Sequence, residues 1–473
     1  MRYLAIIIFS LSFITGIAQE GYEIKVTIKP IKNQYVYLGH YYGKTLPIID
    51  SVKLDANSQG VFKGPKKLGG GIYLVGFPDR SRNFEILIDK QQKFSIIADT
   101  TKLHAVSFVN SPENVAFKDY QKFMTTNGRA IDSLLKLRSN SRGEDSTRIT
   151  RQVEDLNNRI KKYRTDIMTK EPNSLMAVLM KGMKEPEVPY HLPEAKTDSM
   201  FAYRYFKNHY WDGVYFFDDR LARTPFFENR IDKYFEQLVY PSPDSVIREM
   251  DYMLGFATAS EEMEKFLLLK FVNRYLNQKY MWEDAVFVHL YEKYFSQKTY
   301  PWLSEKGKKI ITDRAFSLMA NITGTPASDI DLPDSLGKRT RLYEVVSPYT
   351  VVAIWDPTCG HCKEVMPSLD SAYQVKWKSM GVQLYALAKE TDGKKSDWTK
   401  FINEHKLKDW IHVYYSKADE AARINNNIPS YTQLYDVQSF PTLYLLDKDK
   451  RIVAKKVTLA QLDEILAARV KKQ

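Results

Sequence analysis

The sequence predicts a multidomain chain: an N-terminal all-β, sandwich-like domain, a central all-α domain and a C-terminal α/β domain. Three observations predict it. Short alternating apolar runs, separated by turn residues, fill residues 20–105. Helical spacing rich in aromatics takes over across 110–322. Apolar strands and helices then alternate over 324–473, and the first long strand there runs straight into the chain's only two cysteines.

In the first part, Ile24, Val26 and Ile28 alternate with polar residues, the period of a half-buried strand. Tyr35–Leu38, Ile72–Val75, Phe84–Ile88 and Phe94–Ile97 are further runs, bounded by Asn57-Ser58-Gln59-Gly60, Gly69-Gly70-Gly71 and Asp89-Lys90. Asp50 and Ser51 read as a turn-capping pair.

The helical part opens at Ser111-Pro112-Glu113, with proline at the first helical position. Arg148–Met168 carries Val153, Leu156, Ile160 and Tyr163 on one stripe, and its charges read as a solvated face. Phe201–Tyr240 is dense in aromatics, which reads as core. His289 reads as a packed or hydrogen-bonded histidine.

The third part follows the junction Thr323-Gly324-Thr325-Pro326. Asp329–Leu332 reads as a short strand and Leu342–Val346 as a short helix. Tyr349–Trp355 is a wholly apolar run, the pattern of a buried strand. After it, Val365, Leu369, Ala372 and Tyr373 fall at helical spacing. Cys359 and Cys362 therefore sit where a strand ends and a helix begins. Helix N-termini favour anions, and a thiol there can fall from ~8.5 to ~3.5–7.5. Cys359 is expected to be the exposed nucleophile. Cys362, one turn on and more buried, is expected to displace the mixed disulfide. His361 lies between them, placed to hydrogen-bond the Cys359 thiolate or stabilise its charge. Zinc is disfavoured, since structural zinc wants four ligands and the sequence offers Cys359, Cys362 and at most His361. The haem-attachment pattern needs histidine where Lys363 stands. Val382–Ala388 reads as a second central strand, and Thr458-Leu459-Ala460-Gln461 as a capping box opening the last helix.

On Trp355, Cys359, Gly360, Cys362 and Pro367, and on Phe440-Pro441-Thr442-Leu443 further on, residues 324–473 resemble a thioredoxin fold. More narrowly, they are similar to the exported TlpA/ResA-like thiol-disulfide oxidoreductases. Cys-Gly-His-Cys is also the tetrapeptide of protein disulfide isomerases. The resemblance implies a redox-active Cys359–Cys362 disulfide, a cis Pro441 facing the sulfurs, and substrate contacts at Trp355 and Phe440. It implies no cofactor and no metal. The buried acid of thioredoxins is replaced by Ala353, and the glutamate of extracytoplasmic relatives by Val365. Glu364, Asp356, Lys389 or water remain as proton acceptors for Cys362. Two further pieces, Ile49–Val52 with Gly60–Phe62 and Asp218–Pro225 with Ala285–His289 and Pro301–Leu303, resemble regions of unknown function that precede such domains in exported Bacteroidota proteins.

The 473 residues are 44% apolar and 27% charged, enough for ordinary cores. The formal charge of +12 is spread along the chain without a nucleic-acid motif, so a solvated basic surface is the reading. Residues 1–18 read as a signal peptide: Arg2, an apolar stretch from Leu4 to Ile17, then small residues up to Ala18. Cleavage near Ala18 leaves a chain with no membrane span, placed in the periplasm or otherwise outside the cytoplasm, where disulfides persist. The expected partners are disulfide-containing proteins and an external thiol or membrane electron donor. Two other classes compete: a thiol peroxidase, and a substrate-binding protein in which the cysteine pair is secondary.

Overall fold

The computed structural model describes residues 21–102, 106–407 and 409–470. The signal peptide at 1–18 lies outside the described residues. Eight strands come first: β1 Tyr22–Lys29, β2 Tyr35–His40, β3 Ile48–Lys53, β4 Gln59–Gly64, β5 Gly71–Gly76, β6 Asn83–Ile88, β7 Lys93–Asp99 and β8 Val106–Val109. They form two four-stranded sheets, β4-β1-β7-β8 and β3-β2-β5-β6. Ile24, Val26 and Ile28 of the first sheet and Val36, Leu38 and Val75 of the second bury one common core, so the alternation in the sequence is the inner face of a sandwich. Asp50 is not in a turn. It lies in β3, where the backbone is paired with β2, and its carboxylate accepts the Tyr22 hydroxyl at 2.8 Å.

The helices that follow are α1 Pro112–Ser139, α2 Gly143–Lys170, α3 Leu175–Met183, α4 Glu194–Thr197, α5 Phe201–Asn208, α6 Phe227–Gln237, α7 Pro243–Ala257, α8 Glu261–Tyr275, α9 Glu283–Leu290 and α10 Glu305–Met319. Helices α1 and α3 cover the outer face of the second sheet, where Phe117, Tyr120, Leu175 and Leu179 meet Ile72 and Leu87. This explains why β5 is buried on both faces. The 3-10 turn Asp219–Arg223 docks beside it. A side chain at Gly69 would meet the Arg223 guanidinium, whose Cζ lies 2.4 Å from the position its Cβ would take. Only part of the aromatic run is core, with Tyr210 stacked on Tyr234 at 5.3 Å; Tyr203, Tyr215, Phe217 and Tyr240 are exposed.

The last part contains β9 Asp331–Pro333, β10 Arg339–Arg341, β11 Tyr349–Trp355, α11 Gly360–Ala372, β12 Val382–Lys389, α12 Lys395–Glu404, β13 Ile411–Tyr415, α13 Lys417–Asn425, α14 Tyr431–Leu434, β14 Thr442–Asp447, β15 Ile452–Lys455 and α15 Leu459–Val470. The main sheet has the order β13-β12-β11-β14-β15. Strands β11, β12 and β13 run parallel, while β14 is antiparallel to β11 and β15 to β14. One face carries Val351, Ala353, Trp355 and Leu384 against Met366, Leu369, Trp398 and Leu462. The other carries Val352, Ile354 and Tyr385 against Ile330, Tyr431 and Tyr435. Both faces of β11 are covered, so every one of its side chains is buried. The region expected as a helix at Leu342–Val346 is a 3-10 turn, Leu342–Glu344. The capping box at α15 is present: Thr458 N–H donates to Gln461 at 2.9 Å, and Gln461 N–H to the Thr458 hydroxyl at 3.3 Å.

The chain divides into two compact units. One comprises the described residues up to Val239 with Tyr252–Leu267, and the other Tyr240–Asp251 with Leu268 onward. Within the second, His289 Nε2 bonds Asp251 at 3.0 Å. Lys455 is buried there, with Nζ 2.6 Å from both the Asn321 carbonyl and its Oδ1 and in an ion pair with buried Asp284. Removing one member strands the other charge in the core. Asp284→Ala is expected to cost about 3–5 kcal/mol, read as a fall in the urea midpoint of this unit. A midpoint shift indistinguishable from that of an exposed Asp→Ala control would show that the pair carries no such weight.

Candidate active site

The dithiol is built by the end of β11. Trp355, the strand's last residue, is fully buried and packs on Phe401 with ring centroids 5.0 Å apart. Asp356 follows, also buried, and its carboxylate accepts the Thr358 N–H and hydroxyl, each at 2.7 Å, and the Thr391 hydroxyl. The Asp356 carbonyl accepts the Cys359 N–H at 3.2 Å. These bonds fold residues 356–359 into a turn that delivers Cys359 to the N-cap of α11. There the unpaired N–H groups and the peptide dipoles favour negative charge.

Both cysteines are free thiols, Cys359 partly exposed and Cys362 fully buried. Burial pushes the Cys362 thiol well above its ordinary range, and the charge of Asp356 adds to the rise. The Cys359 sulfur lies 3.7 Å from the Phe440 carbonyl, which it can reach as a weak donor. The Phe440–Pro441 peptide is cis. The register of β14 on β11 ends at Ile354 opposite Thr442, so its next step brings Pro441 alongside Trp355. Pro441, His361, Glu364, Val365, Ser439, Thr442, Lys456 and Val457 line a groove of about 570 Å³ on the His361 and Pro441 side of the site.

The structure thus brings together Cys359, Cys362, Phe440 and Pro441. It corrects the reading of Trp355 as substrate-binding: with no exposed surface, this side chain packs the core behind the dithiol. Phe440 is half-buried, its ring against both faces' cores, and presents its carbonyl to the thiol. The His361 ring is exposed on the groove, with Nδ1 3.8 Å from Glu364. Lys389 is buried and paired with Glu420. Sequence reasoning left Lys456 and Asp436 unnoticed. Their signal was present only as charged residues flanking predicted apolar segments.

A cysteine capping a helix beside a second, buried cysteine one turn on, with a cis-proline loop against the first sulfur, defines the dithiol class of thioredoxin-like domains. Comparison with known proteins agrees. Residues 348–452 match the family described as thioredoxin-like, and residues 146–320 match a domain of unknown function, DUF5106. The thiol-disulfide oxidoreductase ResA of Bacillus cereus is 26% identical over 132 residues, covering 28% of this chain and 68% of that protein. Among solved structures, a thioredoxin-like protein from Bacteroides caccae shares 22% identity over 60% of this chain and 98% of its own, with a TM-score of 0.44. A domain of a possible thiol-disulfide isomerase from Cytophaga hutchinsonii shares 33% identity over 32% of this chain and 94% of its own, with a TM-score of 0.27. The C-terminal domain is a thioredoxin-like domain, and the chain is related to the thiol-disulfide oxidoreductases.

Two outcomes follow from the burial. Brief iodoacetamide treatment of the reduced native protein should alkylate Cys359 and leave Cys362 intact until the chain is denatured; peptide mass mapping checks it. In a Cys359→Ser background, Asp356→Asn removes an anion that disfavours the Cys362 thiolate. The titration midpoint of that thiol, followed by ultraviolet thiolate absorbance, should therefore move down. An upward shift would contradict the assigned sign.

Proposed function

We propose that this protein is an exported thiol-disulfide oxidoreductase that reduces or isomerises disulfides in proteins outside the cytoplasm through Cys359-Gly360-His361-Cys362. The observation that carries the reading is the asymmetry of the pair: one sulfur reachable at a helix N-terminus, the other buried behind it. The Cys359 thiolate attacks one sulfur of the substrate disulfide. An S–S bond forms between enzyme and substrate, the substrate's own S–S bond breaks, and one substrate thiolate leaves. Cys362 then loses its proton to an acceptor and attacks the Cys359 sulfur. The second substrate thiol is released, the substrate has gained two electrons, and Cys359–Cys362 is now a disulfide. An external thiol or a membrane electron donor returns the two electrons. In isomerisation the released substrate thiolate attacks the mixed disulfide instead, and the pair ends reduced.

His361 supports the thiolate in this scheme, and Pro441 leaves a ladder position without an N–H, so that an extended substrate can lie alongside. The position of the chain outside the cytoplasm rests on the signal-peptide reading of residues 1–18. The regional division at 20–105, 110–322 and 324–473 is part of the same proposal.

The test is disulfide reduction in insulin with dithiothreitol as the electron source. Cys359→Ser should abolish turnover, and Cys362→Ser, mixed with insulin after dithiothreitol is removed, should accumulate the mixed disulfide. Undiminished turnover in Cys359→Ser would overturn the reading. Because Cys362 holds its proton strongly, the rate at which the mixed disulfide resolves should climb with pH throughout the neutral range. Equilibration in glutathione buffers then fixes the direction of use: a potential near roughly −180 mV marks an isomerase, and one near roughly −270 mV a reductase. The histidine within the pair favours the first.

A further inference from the structure

The loop that carries Pro441 is not held by the thioredoxin-like domain alone. Asp436 stands at its head, 6% exposed, with a left-handed backbone at φ 43° that non-glycine residues seldom adopt. Its carboxylate accepts Arg314 Nη1 at 2.6 Å and the Ser317 hydroxyl at 3.0 Å, both from α10, and it pairs with Lys456. Burial alone would raise this carboxyl, but Arg314 and Lys456 more than offset it and hold the group below the usual range. Arg314 is itself fixed, donating through Nε to the Leu276 carbonyl at 3.0 Å and through Nη2 to Gln278. Just past the end of α10, Asn321 reaches the Leu434 carbonyl at 3.3 Å, and within the helix Ser317 also reaches the Gln433 carbonyl at 3.4 Å.

Lys456 lines the groove on the wall provided by the β15–α15 connection, and Gln438, Ser439 and Pro441 line the wall provided by the loop. A single buried carboxylate therefore ties three segments: α10, the loop and the far wall of the groove. Helix α10 lies within residues 146–320, outside the stretch that matches the thioredoxin-like family. Charge-assisted hydrogen bonds in a buried setting are among the stronger polar contacts, and breaking one leaves its partner unsatisfied.

We propose that Arg314, Ser317 and Asp436 are positioning residues of the dithiol site: α10 sets the loop that carries Pro441 and, through Asp436 and Lys456, the spacing of the groove walls, so the helical region governs which extended disulfide-bearing peptides reach Cys359. This rests on the oxidoreductase reading above. A small disulfide needs the sulfur but not the groove walls, whereas a peptide needs both.

The experiment compares full-length wild type, Arg314→Ala, Arg314→Lys, Asp436→Asn and Ser317→Ala on two probes, glutathione disulfide and a disulfide-linked dimer of a ten-residue peptide. For Arg314→Ala and Asp436→Asn the peptide KM should rise about tenfold, the scale of one lost charged hydrogen bond. Their kcat on glutathione disulfide and the Cys359–Cys362 potential should stay at the wild-type values, and Arg314→Lys should restore most of the peptide KM. Ser317→Ala removes one neutral bond and should give a smaller rise in the same direction. Peptide KM within twofold of wild type in Arg314→Ala, Asp436→Asn and Ser317→Ala would overturn the proposal. So would an equal loss on both probes, which marks general damage to the fold. If Arg314→Ala and Asp436→Asn fail to fold, Ser317→Ala alone decides between these outcomes. Wild type inactive on both probes would instead remove the oxidoreductase reading itself.

Discussion

The site depends on one constraint: β11 has no exposed side chain. A strand covered on both faces cannot slip by a residue without pushing apolar groups into the wrong layer. Its end at Trp355 is therefore fixed, and Asp356, the next residue, is fixed by three hydroxyl and amide donors. From there the backbone has few choices. Cys359 caps α11, and Cys362 falls one turn later on the face that meets the sheet. The division into a reachable and an unreachable thiol is thus a property of the strand–helix junction and not of the cysteines.

The same junction sets the proton chemistry. Glu364 is exposed on the outer face of α11, with its carboxylate toward His361. Lys389 is occupied by Glu420. Of the acceptors the sequence leaves open, Asp356 is the one whose charge acts on Cys362. Its carboxylate already accepts from Thr358 and Thr391. A buried anion next to a buried thiol makes the thiolate costly. Burial and this charge together hold the Cys362 thiol protonated.

Much of this was legible in the sequence, and for local reasons. Period-two alternation marked β1, and the unbroken apolar run marked β11, because both report directly on which faces are covered. The pairing of a strand with Cys-x-x-Cys, and a distant Phe-Pro-Thr, gave the site. Trp355 was misread because a residue at the end of a doubly covered strand carries no sign of which way its side chain turns. Helices α13 and α14 were missed: Lys417–Asn425 buries no side chain, so it has no apolar stripe to detect. Asp50 was read as a turn residue because short polar pairs between apolar runs look alike in turns and in edge strands. Arg314, Asp436 and Lys456 left no trace as a group. Their contacts join positions 122 and 20 residues apart, and each looks locally like an ordinary surface charge.

The helical region does more at this sheet than adjoin it. Strand β15 ends the order β13-β12-β11-β14-β15 and would offer an open row of amides, a surface prone to pairing with other chains. The chain that leaves α10 closes it. Gly324 N–H donates to the Ile452 carbonyl at 2.8 Å, Ile452 N–H to the Thr325 carbonyl at 2.9 Å, and Ala327 N–H to the Lys450 carbonyl at 2.9 Å. Residues 324–327, which composition alone reads as a junction, are therefore a strap along the sheet edge. At its start Lys455 is claimed by Asn321 and Asp284, and one residue on Lys456 is claimed by Asp436. Of these partners only Asn321 belongs to the chain that leaves α10, so its carbonyl and side-chain oxygen on buried Lys455 anchor the strap where it begins, while the backbone bonds of residues 324–327 set its register along β15.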